Sequence, residues 1–338
     1  MSVFIKGNLF ETDESAKIFS LENQVSKFLM VEAALARAEA KLNIIPEEAA
    51  RIINQKAKLE NVNFEEFNRQ LEITGGHSIV SFMRAWKLSF EDNSAEYIHW
   101  GATSQDIIDT TEVLRLKEIY EVIKRDLVAN RKILLSLAKK YKQTPIAGRT
   151  HGQQAVPTTF GVKIAVWIME INRHLERLKE CKKRLFDGSF FGAVGNLASL
   201  GKVGLSVKDL MMEYLNLNKP IVSWHTARDT FAEFLSILAM ISSTFGKIAN
   251  EVMVLSETEI CELEEPWKEG DIGSSTMPQK RNPSGSEKTV ALSRIVQSSA
   301  SGIYQMMNQE HERDSRAWGT EFYTIPVICK LNIPSLNL

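Results

Sequence analysis

Cysteine is scarce in this chain. Cys181, Cys261 and Cys329 are the only three in 338 residues, odd in number and without a C-x-x-C pair, which argues against both a disulfide framework and a zinc site. The expectation is a chain suited to a reducing cytoplasm. Long apolar runs are also lacking: no stretch approaches the roughly 18 residues of a membrane span, and the opening MSVFIKGNLFETDESAK has no apolar signal-peptide core. Neither sign of charge is in excess, with 41 Lys and Arg against 42 Asp and Glu and a formal charge of −1. That leaves no basic field for a nucleic-acid backbone and no polybasic membrane patch, so the expected partner is a small anionic molecule rather than a polymer or a membrane. The phosphate loop G-x-x-x-x-G-K-[ST], the dinucleotide fingerprint G-x-G-x-x-G and the metalloprotease H-E-x-x-H are all missing.

What is present is helix. Hydrophobic residues make up 44% of the chain, ample for a sizeable core. Residues 13–42 repeat apolar side chains at three- and four-residue spacing and predict a helix with an acidic start. Pro46, followed by Glu47 and Glu48, suits the first turn of the next. From about residue 110 the scale changes, because TTEVLRLKEIYEVIKRDLVANRKILLSLAKKYKQ runs to 143 without an internal Gly or Pro, longer than the usual globular helix. Further long helices are predicted over 157–186, 228–264 and 288 to about 312. No β-alternation stands out. The expected organisation is all-α: an N-terminal helical domain over 1–105, a long-helix bundle over 106–326, and a tail over 327–338 with no helical continuation. Helices of this length call for self-association to bury their faces.

Polar islands interrupt the helices. TGGHSIVSFMRA carries His77, IHWGATSQDIIDTT carries His99, Thr103, Ser104 and Asp106, and AGRTHGQQAVPTTFG carries Arg149, His151 and Gln153. Each couples a histidine, able to move protons near neutrality, to glycines that let backbone approach a ligand. Any one alone could equally be a histidine capping a helix; three islands drawing on six histidines in the whole chain favour a site. Thr103 and Ser104 fall where the long helix begins, so hydroxyls and free N–H groups there offer an anion cradle as well as an N-cap. The stretch DIGSSTMPQKRNPSGSE, 271–287, has no helical or strand period. Ser274 and Ser275 could supply an activated hydroxyl, and Lys280 and Asn282 could bind carboxylates, in a loop with the composition of a lid. Composition alone would equally fit a solvated linker.

Taken together, GSSTMPQKRNP, HWGATSQDIIDTT and GRTHGQQAVPTTFG resemble, in order, the three signature regions of the fumarase/aspartase superfamily, and the likeness runs over residues 10–326. The resemblance implies a helical homotetramer with a central twenty-helix bundle and active sites each assembled from three subunits. It implies anti β-elimination of an amine or alcohol from a succinyl group, releasing fumarate, without a metal or organic cofactor. By the same resemblance Ser274 is the general base, His151 the general acid and His77 its supporting histidine. His99, Thr103, Ser104, Gln153, Lys280, Arg281 and Asn282 contact the substrate. A developing dianion needs such fixed donors, and elimination needs a paired acid and base.

Two branches compete. GRTHGQQAVPTTFG, TGGHSIVSFMRA, GAVGN (192–196) and NPSGSE resemble adenylosuccinate lyases of purine biosynthesis. SWHTARDTFAEF and QEHERDSRAW resemble 3-carboxy-cis,cis-muconate cycloisomerases, which act in aromatic catabolism. The histidine at 151 favours the lyase branch. That branch's phosphate-binding serines after ERD are absent, leaving Arg313, Ser315 and Arg316 as candidate donors, and His225 stands near its substrate-binding glutamine. The branch also implies a further C-terminal helical domain, so an inactive helical remnant is the third expectation.

Overall fold

The computed structural model describes residues 10–267, 270, 274, 276, 277 and 279–336. Helices α1 (Asp13–Ile18), α2 (Leu21–Lys41), α3 (Glu47–Lys56), α4 (Phe64–Ile73) and α5 (Ser78–Lys87) form an N-terminal cluster. The predicted helix over 13–42 is divided because Ser20 caps a new start, its Oγ accepting from the Asn23 N–H at 3.1 Å. Phe28, Phe82 and Trp86 pack as a run of rings with centroids 5.4 and 5.5 Å apart. The buried Trp86 indole donates to the Lys56 carbonyl at 2.9 Å, so its one polar atom is satisfied.

Then comes α6 (Ser104–Lys140), 37 residues without a break, a rod of about 55 Å at roughly 1.5 Å per residue. It is followed by an antiparallel hairpin of β1 (Pro145–Thr150) and β2 (Gln153–Thr159), and by α7 (Phe160–Leu185), which returns along α6. Helix α8 (Gly204–Leu215) packs on α2. Helices α9 (Asp229–Leu255), α10 (Ser284–Ser299), the short α11 (Ser301–Gln305) and α12 (Ser315–Ser335) complete the bundle. One buried apolar cluster runs through the N-terminal helices and into the bundle, with a small second cluster of Ile164, Trp167 and Ile248 beside the hairpin end. The described residues form the long-helix bundle that the sequence predicts.

Several sequence expectations need correction. The hairpin was not expected, and the helix predicted from 157 begins at Phe160. Pro157 has no N–H to donate, while the β-branched Val156, Thr158 and Thr159 suit a strand, and Thr159 Oγ1 caps the helix by accepting from the Val162 N–H at 3.3 Å. The segment 228–264 is helical only to Leu255, and 288–312 begins at Ser284 and breaks near Ala300. The tail is helical after all: α12 passes through Pro326 and Pro334 to Ser335. Ile325, Ile328, Cys329, Leu331, Ile333 and Leu336 are buried, and that packing outweighs the helix-breaking tendency of the two prolines. By length and composition α9 would suffice to cross a membrane, but 67% of its most apolar window is buried. Its apolarity is that of a core helix.

Candidate active site

The site residues anticipated from sequence fall at two ends of the bundle. At the α6 start, Thr103 is the N-cap in extended backbone, and its N–H donates to Asp106 Oδ2 at 3.0 Å. Asp106 has no exposed surface. Besides Thr103 it accepts the Phe191 N–H at 2.8 Å, the Gly192 N–H at 3.0 Å and His225 Nε2 at 2.8 Å. One carboxylate thus ties the first turn of α6 to the glycine-containing loop 192–196. Ser104, half-buried in that first turn, has no hydrogen bond on its hydroxyl among the described residues, and the start of a helix offers N–H groups that suit an anion.

His99 stands just before the cap, in left-handed backbone with φ 68°. Its Nδ1 lies 2.7 Å from Glu32 Oε1 and its backbone N–H donates to Glu32 Oε2 at 3.1 Å. Burial opposes a charge on the imidazole, but the Glu32 carboxylate and Asp106 outweigh that burial and the opposing Lys87, and the His99 pKa is raised. Gly101 is required at its position: φ is 69°, and an added Cβ would meet Leu200 Cγ at 2.8 Å.

Arg313 reaches this end from the other side. Its Nη2 donates to Thr103 Oγ1 at 2.6 Å and to the Ala193 carbonyl at 3.0 Å. Ser315 opens α12 on the surface beside it. Arg316, named as a phosphate donor, is occupied instead: Asp314 takes its Nε and Nη2 at 3.0 and 2.9 Å, and Glu310 lies 2.8 Å from the same guanidinium. His77 is the exposed N-cap of α5, its Nδ1 accepting the Val80 N–H at 3.5 Å. Its neighbours Gly76 and Ser78 edge a cavity of about 340 Å³ that Asp109, Glu112, Arg115 and Glu321 also line. Beneath it the wholly buried Arg228 bridges Asp109 (2.9 and 3.0 Å) and Glu321 (2.6 Å).

At the other end, His151 and Gly152 are the two-residue turn of the hairpin, with φ of 52° and 77°. Positive φ at both positions is what a tight type I′ connection demands. His151 and Gln153 are exposed. Arg149 forks onto Glu262 at 2.8 and 2.7 Å, joining the hairpin to the segment that leads into the signature loop. Ser274 is half-buried, and its Oγ accepts the N–H groups of Thr276 at 3.3 Å and Met277 at 3.1 Å. Two donors on one hydroxyl oxygen favour a negative charge there. Lys280 and Arg281 follow on the surface, and Asn282 is half-buried. Arg281 is paired with Glu264 at 2.6 Å and lies over Trp267. Ser275 lies outside the described residues.

Within one chain the first group sits at the start of α6, a helix of about 55 Å, and the second around the hairpin that follows its other end. The structure brings His99, Thr103, Ser104, Arg313 and Ser315 together at one end, and His151, Gln153, Ser274, Lys280, Arg281 and Asn282 at the other. Sequence reasoning missed Glu32, which sits within an ordinary-looking amphipathic helix. Asp106 is part of the α6 cap, as expected, but its further bonds were not foreseen: His225, noted only as standing near a substrate-binding glutamine of the lyase branch, is 1% exposed and bonded to Asp106. The only available signals were a carboxylate at the third helical position and a histidine in the polar run SWHT.

A helical bundle whose polar signatures sit at the helix ends and connecting loops defines a class, and a family model described as lyase matches residues 9–297. The chain belongs to that family of lyases, within the fumarase/aspartase superfamily. Among its relatives, the N-acetyl-S-(2-succino)cysteine lyase of Enterococcus italicus is 44% identical over 319 residues, covering 94% of this chain and 70% of that protein. Adenylosuccinate lyase of Methanocaldococcus jannaschii is 43% identical over 333 residues, covering 97% and 71%. The crystal structure of the 3-carboxy-cis,cis-muconate lactonizing enzyme of Pseudomonas putida superposes with a TM-score of 0.91 at 34% identity, over 97% of this chain and 73% of that one.

Proposed function

We propose that this lyase acts on a succinyl group by anti β-elimination and releases fumarate, in sites built where the α6 start of one chain meets the hairpin and signature loop of others. The separation of the two residue groups carries this reading. A cradle of Thr103, Ser104, His99 and Arg313 suits the carboxylates of the substrate. A hydroxyl primed by two N–H donors, Ser274, suits removal of the Cβ proton, and the exposed His151 suits protonation of the leaving group. Lys280 and Asn282 add donors for the aci-carboxylate dianion, Gln153 lies beside the acid, and Arg281 closes with the loop. His77 approaches the acid from the N-terminal cluster. A homotetramer is the assembly that joins such ends, and exposed Val162, Val166 and Met169, at helical spacing on α7, supply apolar surface for it.

Two leaving groups deserve a test. Adenylosuccinate, cleaved to AMP and fumarate, matches the histidine-bearing islands and the archaeal relative. A succinylated thiol of the kind named for the Enterococcus relative is favoured by one observation: Arg316 is already held by Asp314 and Glu310, so fewer cations stand ready for a nucleotide phosphate. Fumarate production from adenylosuccinate, from N-acetyl-S-(2-succino)cysteine and from 3-carboxymuconate, followed by NMR, separates them. Fumarate from neither succinyl compound, with lactone from 3-carboxymuconate, would overturn the elimination reading in favour of the cycloisomerase.

A further inference from the structure

We propose that Glu32 of α2 is the positioning residue that keeps His99 as the cationic ligand for a substrate carboxylate at the α6 end. This rests on the reading above that the 99–104 end receives the succinyl group.

Glu32 is 2% exposed and sits mid-helix. A buried carboxylate needs donors, and both of its oxygens find them on one residue: Oε1 at His99 Nδ1 and Oε2 at the His99 backbone N–H. The backbone bond holds His99 in its left-handed conformation, which a non-glycine residue leaves unless it is over-determined. The ring bond fixes the imidazole plane and places a proton on Nδ1, so Nε2 points away from the carboxylate. His99 Nε2 makes no hydrogen bond with any described residue and is not among the buried unpaired atoms. It is the atom left to meet an anion.

The charged groups facing the ring give the same answer. Glu32 from α2 and Asp106 from α6 favour the imidazolium, Lys87 at the end of α5 opposes it, and the balance raises the His99 pKa against its burial. Glu39, one step further along the buried face of α2, is itself held protonated, its pKa raised to about 9 by burial and by Glu32. It therefore adds no second negative charge near neutrality, and Glu32 is left as the partner His99 needs.

The test uses the full chain in its native assembly, with succinate as the probe. In the wild type, the His99 ring protons are expected to titrate at higher pH than those of a histidine-containing peptide in the same buffer. Glu32→Gln, which keeps the size but not the charge, is expected to weaken succinate binding about tenfold at pH values between the variant's His99 titration and the wild type's. The loss should shrink at lower pH, where His99 protonates unaided, and Glu32→Asp should restore part of it. A deficit in Glu32→Gln that is the same at every pH would overturn the proposal, as would a wild-type His99 that titrates no higher than the peptide. If Glu32→Gln does not fold, the wild-type titration decides. Succinate binding that follows this pattern without turnover of any succinyl compound would refute the proposed reaction and leave this inference standing.

Discussion

At the α6 start, Asp106 is wholly buried and gathers N–H groups from Thr103, Phe191 and Gly192 together with His225 Nε2, whereas His151 at the hairpin end stands exposed on a two-residue turn. The difference is one of division of labour. The first end is rigid through buried polar bonds and suits holding an anion in one place. At the second end Ser274 is half-buried, and His151 and Gln153 are exposed on the hairpin turn. Its root is fixed by Arg149 on Glu262, and its helices carry the apolar face of Val162, Val166 and Met169.

This comparison can be broken in graded ways. The largest expected effect lies at the exposed end: Ser274→Ala should lower kcat by about 10²- to 10⁴-fold with substrate affinity nearly kept. Loss of affinity to the same degree, in steady-state kinetics plus direct binding, would remove the base assignment. Next, at the rigid end, Asp106→Ala strands five buried or half-buried donors, the Ser189 hydroxyl at 3.4 Å among them, and thermal or denaturant unfolding should show a loss of about 3–5 kcal/mol. A loss under about 1 kcal/mol would mean that the carboxylate is not the hub described.

A smaller effect has the opposite sign. Glu39 is 0% exposed, has no hydrogen-bond partner on either oxygen, and its pKa is raised to about 9, first by burial and then by Glu32. Its native form is the neutral acid. The unfolded chain releases this proton near the ordinary value while the folded chain retains it, so stability is full below that ordinary value and is lost as pH rises toward about 9. Glu39→Gln should therefore stabilise by about 1–3 kcal/mol near neutrality, with little gain in acid; a gain independent of pH would contradict the protonation state. Smallest of all, Arg281→Ala should change unfolding free energy by less than about 0.5 kcal/mol, since its pair with Glu264 is exposed on both sides.

Much of this was legible from the residues. Periodicity located the long helices because their buried faces repeat every three or four residues, and Thr-Ser-Gln-Asp marked a helix start because capping is local chemistry. The hairpin at 145–159 was not legible, because its strands are mostly exposed and carry no alternation. Nor was the helix through Pro326 and Pro334, whose stability comes from packing with distant residues: Asn130 on α6 donates to the Leu336 carbonyl at 2.9 Å. The same limit hid the site's supports. Glu32 and His99 are 67 positions apart, and Asp106 and His225 are 119 apart, so no spacing rule joins them. The candidate site residues came from motifs; the buried groups that hold His99 and the α6 start required the fold.

The central claim is that the two ends act on one substrate only when they come from different chains. Mixing His151→Ala chains with Thr103→Ala chains after mild dissociation and reassembly, and measuring fumarate release from the preferred succinyl compound, tests it directly. The account predicts recovery to roughly a quarter of the wild-type rate, because some sites then draw both intact ends from different parents. Activity that stays at the level of the separate variants, in assemblies shown to be mixed, would contradict it.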